Sequence, residues 1–267
     1  MHVLREDISV GFWNKPSYLL ALVISELAKP AGERMEWLMW VDADSIILNN
    51  DVPAEVFLPP SDLKDIHLVT AKDQNGLNTG IMFMHVHPWT ISFLTETLGY
   101  PLFHSKIDLG RSADQEAMGR VLNKTTEGPA GQGYASGVAY LPRPWINTYE
   151  QERGDLLVHF PGLEERRWPH MAKWLDIVEM TPQKWNLPLE KTGYLTKTAA
   201  YWSQIRDAKN KIRIGEQVVQ AGNARSSPEI KQGVDALKKV LLEDSDEVDR
   251  IQQRISDLNT LLEQKTV

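Results

Sequence analysis

The chain has 267 residues, with 29 Lys and Arg against 36 Asp and Glu, giving a formal net charge of −7. An acidic chain lacks the basic face needed to coat nucleic acid or to dock on an anionic membrane surface. It contains no cysteine, which excludes disulfides, thiolate metal sites and thiol nucleophiles together. No run of about 18 apolar residues is present, so no transmembrane helix is read from this sequence. Residues 1–7 lack the basic-then-apolar order of a signal peptide.

Taken in chain order, short apolar runs alternate with helical stretches. Residues 17–27 have helical character and stop before Pro30. Residues 36–41 (EWLMWV) form a continuous apolar run of strand length, which predicts a strand buried on both faces. Strands are also expected at 66–70 and 80–86, then a helix over 89–98 opened by His87-Pro88. A helix at 115–122 and strands at 138–142 and 156–160 complete the pattern. This alternation predicts an α/β domain over residues 1–180 with a mainly parallel sheet.

The remainder differs in composition. All nine tryptophans lie at or before Trp202, and no Trp, Tyr or Phe follows it. Core-building aromatics are therefore confined to the first part. A helical connection is expected over 181–221, followed by a tail over 222–267 that begins with a linker at 222–228. Val234, Leu237, Leu241, Val248, Ile251, Ile255, Leu258 and Leu262 recur at spacings of a heptad seam, with a turn or cap at 244–247. The tail reads as a helical hairpin or short coiled coil, or equally as a helix packed on the main domain.

The local signal with most chemistry in it is Asp42-Ala43-Asp44, directly after the 36–41 strand. Two carboxylates at the carboxyl end of a parallel strand can hold a hard divalent cation, which can neutralise a diphosphate. An acidic protein that binds an anionic nucleotide needs such a positive centre. The triplet alone is weak evidence, because Asp244-Ser245-Asp246 has the same spacing between helices and reads as a solvated cap. His159 leaves another strand just before Pro161-Gly162. It is either a third ligand or a structural ring.

Asn78, Thr79 and Gly80 are small or permissive residues that let backbone and amide groups approach a sugar, or they form a plain loop. Asp114 and Gln115 open a helix, where Asp114 is either a cap or first-turn acid or faces a reacting group. His85 and His87 can chelate a metal, although strand alternation makes at least one of these rings structural. Asn123-Lys124-Thr125 has the pattern of a glycosylation sequon. Phosphate-loop, dinucleotide, serine-elbow and zinc-peptidase motifs do not occur.

In order along the chain, these pieces resemble glycosyltransferase family 34, the fungal galactosyl and mannosyl transferases related to plant xyloglucan xylosyltransferases. The resembling residues are Trp13-Asn14-Lys15-Pro16, Glu36-Trp37-Leu38-Met39-Trp40-Val41-Asp42-Ala43-Asp44 and Ile46-Ile47-Leu48-Asn49. They continue with Gly76-Leu77-Asn78-Thr79-Gly80, Trp89, Ala113-Asp114-Gln115 and Ile146-Asn147-Thr148-Tyr149. The last is Gly154-Asp155-Leu156-Leu157-Val158-His159-Phe160-Pro161-Gly162, so the likeness spans about residues 11–165.

The resemblance implies a GT-A fold, the Rossmann-like fold of nucleotide-diphospho-sugar transferases, and bound Mn²⁺. It implies transfer of a hexose with retention from UDP-galactose or GDP-mannose to a glycan or glycoprotein acceptor. Asp42, Asp44 and His159 would hold the metal. Asp42, Ala43, Asp44, Asn78, Thr79, Gly80, Gly162 and Arg166 would bind the donor, with Asp114 and Gln115 at the anomeric centre. Plant relatives have a Lys after the His-Phe-x-Gly segment, so here the cation must come from Arg166 or Arg167.

Family members begin with a membrane anchor and first strands for which this sequence has no counterpart, and the expected fold is accordingly short at its N-terminus. The family location is the Golgi lumen, as type II membrane proteins, or the cytoplasm if the short N-terminus is genuine. Two other readings share some of these residues. One is an inactive paralogue that joins a homo- or hetero-oligomer through its helical tail. The other is a metal-assisted phosphoester hydrolase, which leaves Asn78 to Gly80 and Asp114-Gln115 without a task.

Overall fold

The structure, a computed structural model, describes residues 2–124, 133–150, 152–221 and 227–264. In chain order it contains α1 (Asn14–Leu27), β1 (Trp37–Val41), β2 (Ser45–Ile47), β3 (Leu68–Asp73) and β4 (Gly76–His85). Next come α2 (Pro88–Phe103), α3 (Ala113–Leu122), β5 (Val138–Tyr140), α4 (Arg143–Ile146) and β6 (Leu157–His159). The chain then continues as helices: α5 (Arg167–Met180), α6 (Pro182–Trp185), α7 (Leu189–Thr192), α8 (Tyr194–Ala221), α9 (Ser227–Glu243) and α10 (Val248–Glu263). The protein is thus α/β, as expected. It forms two compact units, Met1–Val41 with Asp65–Val138, and Asp42–Lys64 with Ala139–Val267. Thr125 of the sequon pattern and residues 222–226 of the expected linker lie outside the described residues.

In the first unit β4 lies between β1 and β3 and runs antiparallel to both. This corrects the expectation of a mainly parallel sheet at these strands. Gln74 and Asn75 alone join β3 to β4, and Gly76 adopts φ +97°, so the two strands form a tight hairpin rather than flanking a crossover helix. Nor is β1 buried on both faces. It lies at the edge of the sheet and is half-buried along its whole length. Its continuous apolar run resembles a central strand because both faces carry a large ring, Trp37 on one and Trp40 on the other. The core beside it consists of Leu68, Val69, Ile81, Met82, Phe83 and Met84 of the sheet, with Leu19, Val23, Phe93 and Leu94 of α1 and α2.

The β3–β4 register slips between Val69 and Ala71, where residues 79–82 of β4 stand opposite Thr70 alone. The Thr70 hydroxyl donates within this irregularity to the Asn78 and Ile81 carbonyls, at 2.7 and 3.1 Å. A bulge of this kind re-aims the side chains it carries and is enriched beside active sites. Here it carries Thr79 and Gly80.

In the second unit β2 and β6 pair antiparallel, with Ser45 opposite His159. A core of Ile46, Leu48, Val158, Phe160, Met171 and Trp185 fixes this ribbon against α5 and α6. The tail forms a hairpin, α9 and α10 joined by residues 244–247, and both helices also pack on α8. Val234, Leu237, Leu241, Ile251, Ile255 and Leu258 are buried there, so most of the apolar seam is filled within the chain. Asp244-Ser245-Asp246 is more than a solvated cap. Ser245 is buried, and its hydroxyl accepts from Tyr140 N at 2.7 Å while lying 3.3 Å from Tyr140 O.

Candidate functional site

The sequence candidates fall into two groups, one in each unit. In the second unit the β2–β6 register sets the geometry. Asp44 precedes Ser45 and His159 ends β6, so the antiparallel ribbon brings the entrance of one strand to the exit of the other. Phe160 N donates to Asp44 O at 2.8 Å and locks that crossing. Asp42, Asp44 and His159 thereby offer ligand atoms that all lie within 4.8 Å of one another. The cluster stands at a two-stranded antiparallel ribbon, not at the carboxyl edge of a parallel sheet as expected.

His159 is oriented from behind. Its Nδ1 donates to the Asn147 side-chain oxygen at 2.9 Å, because an amide oxygen can only accept. Nε2 is then the nitrogen facing Asp44 Oδ1, at 3.2 Å. A buried carbonyl-type acceptor behind the ring is the usual support of a metal-ligating histidine. The Arg167 Nε lies 3.1 Å from the other Asp44 oxygen. Burial pushes the Asp44 carboxyl up, but its hydrogen bond to His159 and the charges of His159 and Arg167 outweigh that and hold it below the usual value. Two carboxylates and an imidazole suit Mn²⁺ or a similar divalent ion.

Arg166, the expected donor-binding cation, is exposed on the turn before α5, and the neighbouring Arg167 is the one against Asp44. Gly162 adopts φ +73°, which lets the chain turn sharply after the strand that ends in His159. Ala43 is exposed in the turn between Asp42 and Asp44.

In the first unit the bulge of β4 meets the start of α3. Gln115 Oε1 accepts from Thr79 N at 2.9 Å and lies 3.3 Å from the Thr79 hydroxyl. Asp114 is a first-turn acid of α3, but it is also buried, and its partner is Lys15 at 3.5 Å. The Lys15 ammonium also lies 3.2 Å from Thr79 O and 5.8 Å above the Trp40 ring. Asn78 is occupied locally, donating to Asp73 at 2.9 Å and accepting from Gly80 N at 2.9 Å. Asp114, Gln115, Thr79 and Lys15 therefore form one polar cluster around the buried Asp114 and Thr79, and Asn78 with Gly80 shapes the strand that carries it.

Arg167 is one of the two arginines expected to supply a cation, whereas the sequence does not single out Lys15 and Asn147 for these roles. Lys15 and Asn147 lie inside stretches that resemble family motifs, which was the signal available for them.

Residues 61–168 match the galactosyl transferase GMA12/MNN10 family. The likeness to that family is carried by this segment of the chain. The matched segment includes the Thr79–Gln115 contact and His159, whereas Asp42 and Asp44 precede it. An alpha-1,2-galactosyltransferase of Schizosaccharomyces pombe is 26% identical over 167 aligned residues, covering 48% of this chain and 41% of that protein. The chain thus matches less than half the length of this relative. No solved structure matches the chain. Among the described residues, no helix is long and apolar enough to cross a membrane.

Proposed function

We propose that this chain is the catalytic part of a metal-dependent, retaining hexosyltransferase with a GT-A fold. The reading takes a nucleotide sugar, UDP-galactose or GDP-mannose, as donor and a glycan or glycoprotein as acceptor. The observation that carries it is the convergence of Asp42, Asp44 and His159, with Asn147 behind the imidazole. The galactosyltransferase relative and the family match support transfer over phosphoester hydrolysis.

Asp42, Asp44 and His159 would hold Mn²⁺. Bound there, the ion would supply positive charge for the diphosphate that leaves the sugar. Asn147 accepts the hydrogen bond of the Nδ1 proton, so Nε2 is the nitrogen that would meet the ion once its own proton toward Asp44 is displaced. The Arg167 guanidinium, beside Asp44, adds a second positive group suited to phosphate oxygens. In the first unit, Asp114, Gln115 and Thr79 supply donors and acceptors of the kind that sugar hydroxyls require, and Lys15 balances the Asp114 charge. Transfer exchanges the anomeric bond to the diphosphate for one to an acceptor hydroxyl, whose proton goes to the departing diphosphate. In keeping with the family, the site of action is the Golgi lumen.

Thermal unfolding of the purified chain with Mn²⁺ plus UDP, and with Mn²⁺ plus GDP, tests this reading. Nucleotide at about 100 times its dissociation constant stabilises by about 2.7 kcal/mol, a shift of several degrees for a chain of this size. The expected result is a shift with one nucleotide that disappears in Asp44→Asn. Absence of any shift with either nucleotide overturns the donor site.

A further inference from the structure

Three imidazoles that the proposed reaction does not use meet in the first unit. His67 immediately precedes β3, His85 ends β4, and His87 caps α2. His67 Nδ1 and His85 Nδ1 are 3.1 Å apart, with the rings within 10° of parallel. His87 stacks on His67 with centroids 4.2 Å apart. Trp37 stacks on His85 at 4.8 Å, and Trp89 lies 5.2 Å from His67.

The array joins backbone as well as rings. His85 N donates to His67 O at 2.9 Å, and the Thr90 hydroxyl donates to His85 O at 2.6 Å. His87 Nδ1 accepts the backbone N–H of Trp89 at 3.1 Å, the cap of α2. These hydrogen bonds between the end of β4 and the start of α2 pass through the histidines or their carbonyls.

The proton count is restrictive. A contact between two Nδ1 atoms at 3.1 Å holds one proton, so one ring donates and the other must keep a lone pair. His87 must keep its Nδ1 lone pair as well, because that atom is the cap. Protonating the acceptor of the pair sets two N–H groups against each other. Protonating His87 removes the cap and places a positive charge at the positive end of the α2 dipole.

We propose that His67, His85 and His87 form a proton-sensitive clasp that fastens the N-terminus of α2 to the end of β4 and opens on acidification. Glu36 is the acid whose charge reaches His85 and favours its protonation. Burial and the neighbouring His87 outweigh it and push His85 below the ordinary histidine value, and burial pushes His87 down. Trp37 of β1 and Trp89 of α2 add rings and no charge. Beyond Trp89 stands Tyr134, pushed up to about 12 by burial and by Glu96, so it stays neutral throughout.

The direction follows from linkage. A folded chain that resists protonation binds fewer protons than the unfolded chain below about pH 6.5, so stability is full above that value and falls beneath it. For each blocked site the folded-to-unfolded ratio falls about tenfold per pH unit, until the lowered folded-state value is reached. The effect extends beyond the clasp. Helix α2 packs on both α1 and α3, and α3 carries Asp114 and Gln115.

Hydrogen exchange on the full chain between pH 7.5 and 5.0, corrected for intrinsic rates, tests the clasp. Protection of the His85, Trp89 and Thr90 amides should fall about tenfold or more across that range, while Ile255 and Leu258 in α10 keep theirs. Equal change at both places, or none at either, overturns the proposal. The double variant His85→Gln with His87→Asn keeps polar side chains and a good cap while removing two of the three titrating rings. It should flatten the acid response. A response of undiminished size in this variant also overturns the proposal, and if the variant does not fold the comparison within the wild-type chain decides alone. None of these readouts depends on metal or nucleotide, so they stand apart from the test of the transferase reading.

Discussion

Asn147 accepts a hydrogen bond from His159 Nδ1 at 2.9 Å, and that bond turns the other ring nitrogen toward Asp44. Both residues are buried, so no solvent competes for the Nδ1 proton. The orientation of the candidate metal ligand thus rests on a residue twelve positions earlier, at the end of α4. His159 N also donates to Thr148 O at 2.9 Å, which ties the same two segments through their backbone.

On the proposed reading, Asn147→Leu removes the acceptor and leaves the ring without its support. Loss of such a partner lowers metal affinity by about 10–100-fold. Titration of the variant with Mn²⁺, followed by the paramagnetic signal of the unbound ion, should show that loss. Asn147→Asp keeps an acceptor and should retain most of the affinity. Equal binding by wild type and Asn147→Leu would remove Asn147 from the site.

Lys15 is the partner of a carboxylate that is only 2% exposed. Truncating Lys15→Ala leaves the Asp114 charge buried and unpaired, which costs about 3–5 kcal/mol. Adding Asp114→Asn removes the stranded charge, so the double variant should be more stable than Lys15→Ala alone. Denaturant unfolding of the two single variants and the double measures the coupling. Additive losses would mean that the pair contributes nothing as a pair.

The turn between α9 and α10 is fastened to β5. Ser245 Oγ accepts the Tyr140 N–H at 2.7 Å, and Tyr201 donates to the Tyr140 carbonyl at 2.9 Å. Ser245→Ala leaves a buried backbone N–H unpaired, at a cost of about 1–3 kcal/mol. In a chain of this size that lowers the thermal midpoint by roughly 2–4 °C per kcal/mol. An unchanged midpoint would show that this latch does not hold the tail.

Leu258 is fully buried and lines the place where Gly215 and Gly233 let α8, α9 and α10 approach closely. Leu258→Ala should cost about 2–5 kcal/mol, the range for a buried leucine. Because α10 belongs to the same compact unit as Asp42, Asp44 and His159, calorimetry should show them unfolding together. Separate melting of the tail, with the Asp42, Asp44 and His159 cluster intact, would contradict that.

Much of this protein could be read along the chain. The residues of the candidate metal cluster announce themselves as acids and a histidine at the ends of apolar runs, because strands are apolar and side chains with chemistry emerge where they stop. The helices at α1, α2, α3 and the tail follow from apolar spacing with Pro or polar boundaries. The hairpin between β3 and β4 was also written locally, as Asn75-Gly76, but the helix-strand alternation around it suggested a parallel order.

Other features have no local signature. Nothing in the order of residues says that Ser45 stands opposite His159, that Asn147 rather than water holds the His159 ring, or that Arg167 and not Arg166 reaches Asp44. Lys15 and Asp114 are 99 positions apart, and His67 is 18 from His85, so their pairing exists only once strands and helices pack. Sequence by itself determined which residues bear charge, ring or lone pair, since these are covalent properties. The tertiary structure decided which of them share a proton, because that depends on a separation of about three ångströms that only packing sets.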